Sequence, residues 1–338
     1  MSFVALDSTD FVVSADSVTA PAWSTNTSVL STFTSQSSVA PNFYIDVYAS
    51  ASAPDGQPEF SIAYGNVNGY GSTAYNSLVS GMTPTRTVYG QYRTLVYGDE
   101  NTNFNFGAGN TNASDIYVIN VNRNRYKQQL FVPTFNLTLK SGSTTVALTN
   151  NSLDTNTVTY LDCGRAYNIV SGSNGSATTT AIKTGVTAGY TESGSYGLYL
   201  PDVGLIVLNP RALALPATSG GVDLNTNATT YANSYNYNLL YYAVSGGANF
   251  QLNSEETVSS NFVFVRVKSQ DFNYTTNPSI ISGSGELNFS SLINNPQTFM
   301  TTVGMYNANN ELLAVAKLSK PLTKDFTKEA LIKVKLNW

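Results

Sequence analysis

The stretch NFYIDVY, Asn42 to Tyr48, alternates side chains with a period of two. Phe43, Ile45 and Val47 fall on one face, and Tyr44, Asp46 and Tyr48 on the other. That period belongs to an extended strand, whose successive side chains point to opposite sides. Outward from it, EFSIAYG (Glu59 to Gly65) sets Phe60, Ile62 and Tyr64 against small residues. DIYVINV (Asp115 to Val121), TFNLTL (Thr134 to Leu139), TVTYL (Thr157 to Leu161), YGLYL (Tyr196 to Leu200), VGLIVL (Val203 to Leu208) and NFVFVRVK (Asn261 to Lys268) are also strand-like. Between them, turns such as APDGQ, SGSNGS and NANNE supply residues that tolerate positive φ.

Helical signals are few. In TRTVYGQYRTLVYG (Thr85 to Gly98), Val88, Tyr92, Leu95 and Val96 share a face, weakened by Gly90. In TTYANSYNYNLLYYAVSGG (Thr229 to Gly247), Tyr231, Tyr235, Leu239 and Tyr242 recur at helical spacing until Gly246 and Gly247 stop the run. The expected fold is mainly β: sandwich-like antiparallel sheets, a few short helices in insertions and an extended N-terminal arm. Three segments follow: a Ser/Thr-rich arm over 1–41, a main β domain over 42–275 and a C-terminal β unit over 276–338 that is either separate or packed as part of the main domain. The arm is read either as a floppy leader or as a segment that orders only against a neighbour, which Trp23, Leu30 and Phe33 would anchor.

Composition narrows the function classes. Charged residues make up 11% of the 338, against about 25% in ordinary globular chains. With 22 Tyr, 16 Phe and a net charge of −4, the chain has the aromatics that disordered segments lack. Its neutral, amide-rich exterior favours close packing against other chains. Nucleic acid is not an expected partner, because these counts cannot line a positive groove. No apolar run approaches the ~18 residues that span a bilayer, so membrane insertion is not expected. The acidic first residues lack the basic start of a signal peptide, and synthesis in a cytoplasm is the expectation.

The chain contains no histidine. Ser-His-Asp and Cys-His catalysis and imidazole metal sites are therefore excluded within one chain. Cys163 is the only cysteine, and an inert buried thiol is expected, since Arg165 alone is a thin activator. The loops GNVNGYGS (Gly65 to Ser72) and SGSGE (Ser282 to Glu286) lack the Gly-Lys-Ser/Thr ending of a phosphate cradle. Carboxylates remain as catalytic groups: Asp99 with Glu100, Glu255 with Glu256, Asp154 and Asp162. Adjacent acids on a strand face opposite ways, so no ready pair exists for glycan hydrolysis. The expectation is no enzyme, no cofactor and no metal.

Basic residues are unevenly placed. The first 85 residues hold no Lys or Arg, whereas Lys317, Lys320, Lys324, Lys328, Lys333 and Lys335 crowd the end. If NVNRNRYKQQL (Asn120 to Leu130) is a strand, Arg123, Arg125 and Lys127 line one face about 7 Å apart. Such a ladder either protects a sheet edge or docks an acidic partner, including the N-terminal region of another copy. TTVGMYNANNELLAVAKL (Thr301 to Leu318) reads as strand, Asn-rich turn, strand. TKEALIKVKLNW (Thr327 to Trp338) sets Ile332, Val334, Leu336 and Trp338 against Leu331, Lys333, Lys335 and Asn337. The connector SKPLTKDFTKE (Ser319 to Glu329) is expected to face solvent. Candidate interface residues are Trp23, Phe33, Arg123, Arg125, Lys127, Lys317, Lys320 and Lys324.

The stretch NPQTFMTTVGMYNANNELLAVAKLSKPLTKDFTKEALIKVKLNW resembles the end of a family of virion structural proteins of contractile-tailed bacteriophages, including those of cyanobacteria. NFYIDVYAS, FSIAYGNVNGYGS, PTRTVYGQYRTLVYGDEN, IYVINVNRNRYKQQL, YLDCGRAYNIVSGSNGS, NPRALALP and NFQLNSEETVSSNFVFVRVK carry the resemblance from about residue 40 to 338. It implies a structural part of the tail or baseplate, assembled in the host cytoplasm and partnered by other phage structural proteins and copies of itself. Neck and capsid-surface positions are alternatives. A different class of function is a receptor-binding module reading host glycans through the Tyr-rich segment 231–242.

Overall fold

The computed structural model describes residues 3–36, 43–50, 56–76, 78–79, 81–107, 109–154, 158–273 and 278–337. It is mainly β, 40% strand and 14% helix, with antiparallel sheets, a curled half-barrel and few short helices. Two compact units divide the chain: Val18–Glu256, and Met1–Ser17 together with Thr257–Trp338.

The larger unit is built on one antiparallel sheet. Its main path runs Val29–Leu30, Phe250–Gln251, Asn136–Ser141, Thr144–Asn150, Gly164–Ser173, Gly197–Leu200, Leu205–Leu208, Asp115–Val121, Phe60–Asn66, Tyr44–Tyr48 and Thr34–Ser35. The first and last strands are joined by only three residues, Ser31 to Phe33. Eleven strands laid flat would span about 48 Å. The link from Leu30 to Thr34 reaches about 15 Å at most. Connectivity alone therefore forces the sheet to curl until its two ends approach.

The segment expected to be an arm is the seam of that curl from Ala22 onward. Trp23 and Leu30 are buried within their own unit. The Trp23 ring lies 5.0 Å from Phe250 and 6.0 Å from Phe60. Its indole N–H donates to the Phe250 carbonyl at 3.0 Å, and half-buried Phe33 packs edge-on to Phe60 at 6.2 Å. This corrects the reading that these side chains wait for a neighbour. A charge-free Ser/Thr-rich stretch looks unstructured, yet three well-spaced apolar residues hold it once the sheet has rolled around them. The preceding strand, Phe11–Pro21, is extended and exposed.

Both faces of the central strands are covered. From Asp115–Val121, Tyr117, Ile119 and Val121 enter the inner core, while Ile116 and Val118 enter a second, outer core. Ile206 and Leu208 likewise point in, and Leu205 and Val207 out. Double coverage explains why these strands read as near-continuous apolar runs. The Pro84–Tyr97 helix covers the outer core; Thr83 caps its start and left-handed Gly98 ends it. Its buried stripe is Thr85, Tyr89 and Val96. The expected face of Val88, Tyr92, Leu95 and Val96 is rotated, because Gly65 admits the helix backbone at Tyr89: a Cβ on Gly65 would sit 2.8 Å from the Tyr89 nitrogen.

The Asn236–Gly247 helix closes on the inner core through Tyr237, Leu240, Ala243 and Val244. It starts later than the expected run, leaving Tyr231 and Tyr235 exposed ahead of it, and it too is rotated from its expected stripe, leaving Tyr242 exposed. Gly247 sets that rotation, since a Cβ there would meet the Thr138 carbonyl oxygen.

The smaller unit has two layers. One is the three-strand order Phe11–Pro21, Asn253–Val267, Ala330–Asn337. The other is the hairpin Thr298–Tyr306 with Leu312–Lys324, turned as its Asn-rich loop implies: Asn310 is left-handed, and the Asn307 side chain accepts from the Glu311 amide at 2.9 Å. Val263, Ile332 and Val334 form the core between the layers. In the last strand Ile332 and Val334 point in, and Leu331, Lys333 and Lys335 out, as the alternation requires; Trp338 lies outside the described residues.

Candidate assembly interface

The basic ladder is not a strand. Arg123–Arg125 is a single 3-10 turn, begun by the Asn122 side chain accepting from the Asn124 amide at 3.0 Å. The turn sends the three cations in different directions. Arg123 stays exposed, its guanidinium 4.6 Å over the Tyr126 ring, and Lys127 is exposed as well. Arg125 turns inward. It pairs with Glu59 at 2.9 Å, with the two side chains 5% and 0% exposed. It also donates to the carbonyls of Gln57 at 2.9 Å and Pro58 at 3.3 Å. Glu59 in turn accepts from the Ser24 amide at 3.2 Å and from the Ser24 hydroxyl. Arg125 therefore ties the seam to the sheet, and its place on a docking face is corrected. Nothing in the spacing of Glu59 and Arg125 announces this pair.

Lys324 is a second correction. It is 1% exposed, and its ammonium donates to the Ser269 carbonyl at 2.8 Å, Asn273 Oδ1 at 2.6 Å and the Asp325 carbonyl at 2.9 Å. One end of the connector is thus folded inward, where three acceptors replace water. Lys317 and Lys320 remain exposed on the hairpin. Lys328 pairs with Asp325 at 3.0 Å. The Asp325 carboxyl is pulled down to about 2, first by the Thr327 hydroxyl and then by Lys328.

The lysines of the last strand have a task the sequence did not signal. Phe262 lies across from Lys335, and Phe264 across from Lys333. The Lys333 ammonium sits 4.0 Å from the Phe262 ring centre, and that of Lys335 5.6 Å. These cations roof two half-buried rings on the face of the sheet away from the hairpin, an attraction of about 0.5–1 kcal/mol each at exposed sites.

What distinguishes the smaller unit is how little it covers. Among its described residues, only Val263, Val267, Ile332 and Val334 are fully buried apolar side chains. Phe11, Val12, Val13, Phe299, Leu312, Leu313, Val315, Phe326 and Leu331 are exposed, Leu313 by 68% and Phe299 by 64%. Phe11–Pro21 is exposed along nearly its whole length and stands at the open end of its sheet order. Burying a Val, Leu or Phe contributes about 1.5–3 kcal/mol each. A long strand with both faces bare therefore has much to gain from a covering surface.

Three of the carboxylates considered for chemistry, Asp99, Asp154 and Glu255, make local hydrogen bonds. Asp99 accepts from the amides of Asn101 and Thr102, at 3.1 and 2.8 Å. Asp154 accepts from the Ala177 amide, and Glu255 from the Gln129 side chain at 2.7 Å. Arg165 is paired with Asp202 at 2.6 Å and does not serve Cys163, whose thiol is pushed up by burial and by the Asp202 and Asp162 carboxylates. No group of three His, Cys, Asp or Glu suited to a metal occurs among the described residues. No protein family, curated protein or solved structure matches the chain.

Proposed function

We propose that this chain is a structural subunit of a tailed-phage particle, in the tail or baseplate, that works through protein–protein contacts with other virion proteins and with copies of itself. The observation that carries the reading is the smaller unit, which leaves Phe299, Leu313, Val315 and the Phe11–Pro21 strand uncovered. Exposed apolar surface on this scale, with aromatic residues and few charges, has the character of an interface core. Lys317 and Lys320 beside it provide the polar rim that orients a partner. The phage assignment draws its support from the resemblance of residues 40–338 to virion structural proteins. Assembly in the host cytoplasm follows from that reading.

The test uses the double substitution Leu313→Asp and Val315→Asp in the full chain. Both positions are exposed, so folding should survive, with an unchanged thermal transition for the larger unit. Incorporation into particles, followed by mass spectrometry of purified virions, should be lost. Normal incorporation of the variant, or absence of the unmodified chain from purified particles, overturns the proposal.

A further inference from the structure

The Pro84–Tyr97 helix carries Arg86, Gly90 and Arg93 at i, i+4 and i+7, which places them on one stripe. Beside this stripe a cleft of about 370 Å³ is lined by Val67, Arg86, Tyr89, Gly90 and Arg93, with Glu100, Asn101 and Asn103 on the facing loop. Neither arginine makes an ion pair among the described residues. Arg93 is held in place: its guanidinium lies 5.7 Å from the Tyr89 ring centre, and Nη1 donates to Asn103 Oδ1 at 3.3 Å. Its Nε is nevertheless buried with no partner. The facing loop is stiffened by Asp99, which accepts from Asn101, Thr102 and the Thr102 hydroxyl.

Gly90 is the second, independent observation. Glycine inside a helix is destabilising relative to alanine. Two structural reasons would excuse it, a left-handed backbone or a close approach. Gly90 has neither: its φ is not positive, and no atom lies within 4 Å of where a Cβ would be. What the missing side chain leaves is open space on the helix stripe between Arg86 and Arg93, neither of which is ion-paired among the described residues.

We propose that this cleft binds an acidic sugar, its carboxylate held by Arg86 and Arg93 and its hydroxyls by Glu100, Asn101 and Asn103. Arginine forks match a carboxylate in bidentate fashion. Two cations and one carboxylate leave room for a single negative charge, so a monoanion balances the cleft where a dianion would face Glu100. Glu100 accepts hydroxyl protons; Asn101 Nδ2 already donates to Asp99 and Asn103 Nδ2 to Asn112, while Asn103 Oδ1 accepts from Arg93, so each amide offers a sugar its second amide hydrogen and its remaining oxygen lone pairs. The cleft volume lies at the small end of ligand pockets, which suits one sugar residue. This site is independent of the assembly interface and stands or falls separately.

The experiment titrates the full-length protein with glucuronate, glucose and inorganic phosphate, each to about 10 mM, enough to fill a site of ~1 mM Kd, and follows the amide signals of residues 86–103. Glucuronate should shift them, and glucose and phosphate should shift them far less. Arg93→Gln should weaken glucuronate binding at least about tenfold, a change of ~1.4 kcal/mol. Gly90→Leu, which fills the space while keeping both arginines, should abolish binding at an unchanged or higher thermal midpoint. Equal response to phosphate makes the cleft a plain anion site, and equal response to glucose makes the charge irrelevant; either overturns the proposal. So does silence of residues 86–103, or binding that survives both substitutions.

Discussion

Glu59→Gln tests whether Arg125 is a seam residue or a docking residue. In the folded chain the Glu59 carboxylate is sealed from solvent and lies 2.9 Å from Arg125 Nε. Removing the charge breaks a buried ion pair, which typically costs about 3–5 kcal/mol. A glutamine keeps one oxygen able to accept from Ser24 or Arg125, so the low end, about 3 kcal/mol, is expected. For a unit of this size each kcal/mol moves the thermal midpoint by about 2–4 °C, giving a fall of roughly 6–12 °C. Fluorescence of Trp23, buried in the seam against Phe60 and Phe250, reports the event directly. Adding Arg125→Met to Glu59→Gln should recover much of the loss, because both halves of the buried ion pair are then gone. A midpoint drop of under ~2 °C would refute the reasoning, and so would an Arg125→Gln variant of normal stability that fails only to assemble. Either result returns Arg125 to the surface role its sequence context suggested.

The larger unit should also lose stability as pH rises from about 4 to 6. Burial lifts the Asp115 carboxyl to about 6, against hydrogen bonding from Tyr64 at 3.0 Å. A carboxyl that protonates more readily when folded contributes stability fully present below its unfolded value of about 4 and lost as pH climbs through its folded one. The span of about two pH units caps the effect near 3 kcal/mol. Asp115→Asn should flatten that part of the profile in urea titrations across the range, and an unchanged profile counts against the buried acid. Lys324→Met should loosen the smaller unit by about 2–3 kcal/mol, since three acceptors lose a charged donor. Faster hydrogen exchange over 269–273 checks it. Unchanged exchange would mean the lysine does not hold that loop.

The strands named from their alternation, the C-terminal hairpin and the two longer helices were legible in the sequence, because side-chain period is a local property: two for a strand, 3.6 for a helix; Thr144–Asn150 and Gly164–Ser173 were not read as strands. So was the exclusion of imidazole chemistry, which needs only a count. Helix rotation was not legible. It depends on where a neighbouring backbone comes close, at Gly65 and Gly247, and no periodicity within the helix records that. The fates of Trp23, Arg125 and Lys324 were equally hidden, since their partners lie far along the chain for the first two and in a facing loop for the third. By itself, then, the sequence determined a charge-poor, mainly β protein and many of its strands. Only the tertiary structure decided the order in which those strands pair, the curl imposed by a three-residue link, and which cations are buried. Strand alternation says which side of a sheet a residue takes, while the choice of neighbour rests on long-range packing that no short window contains.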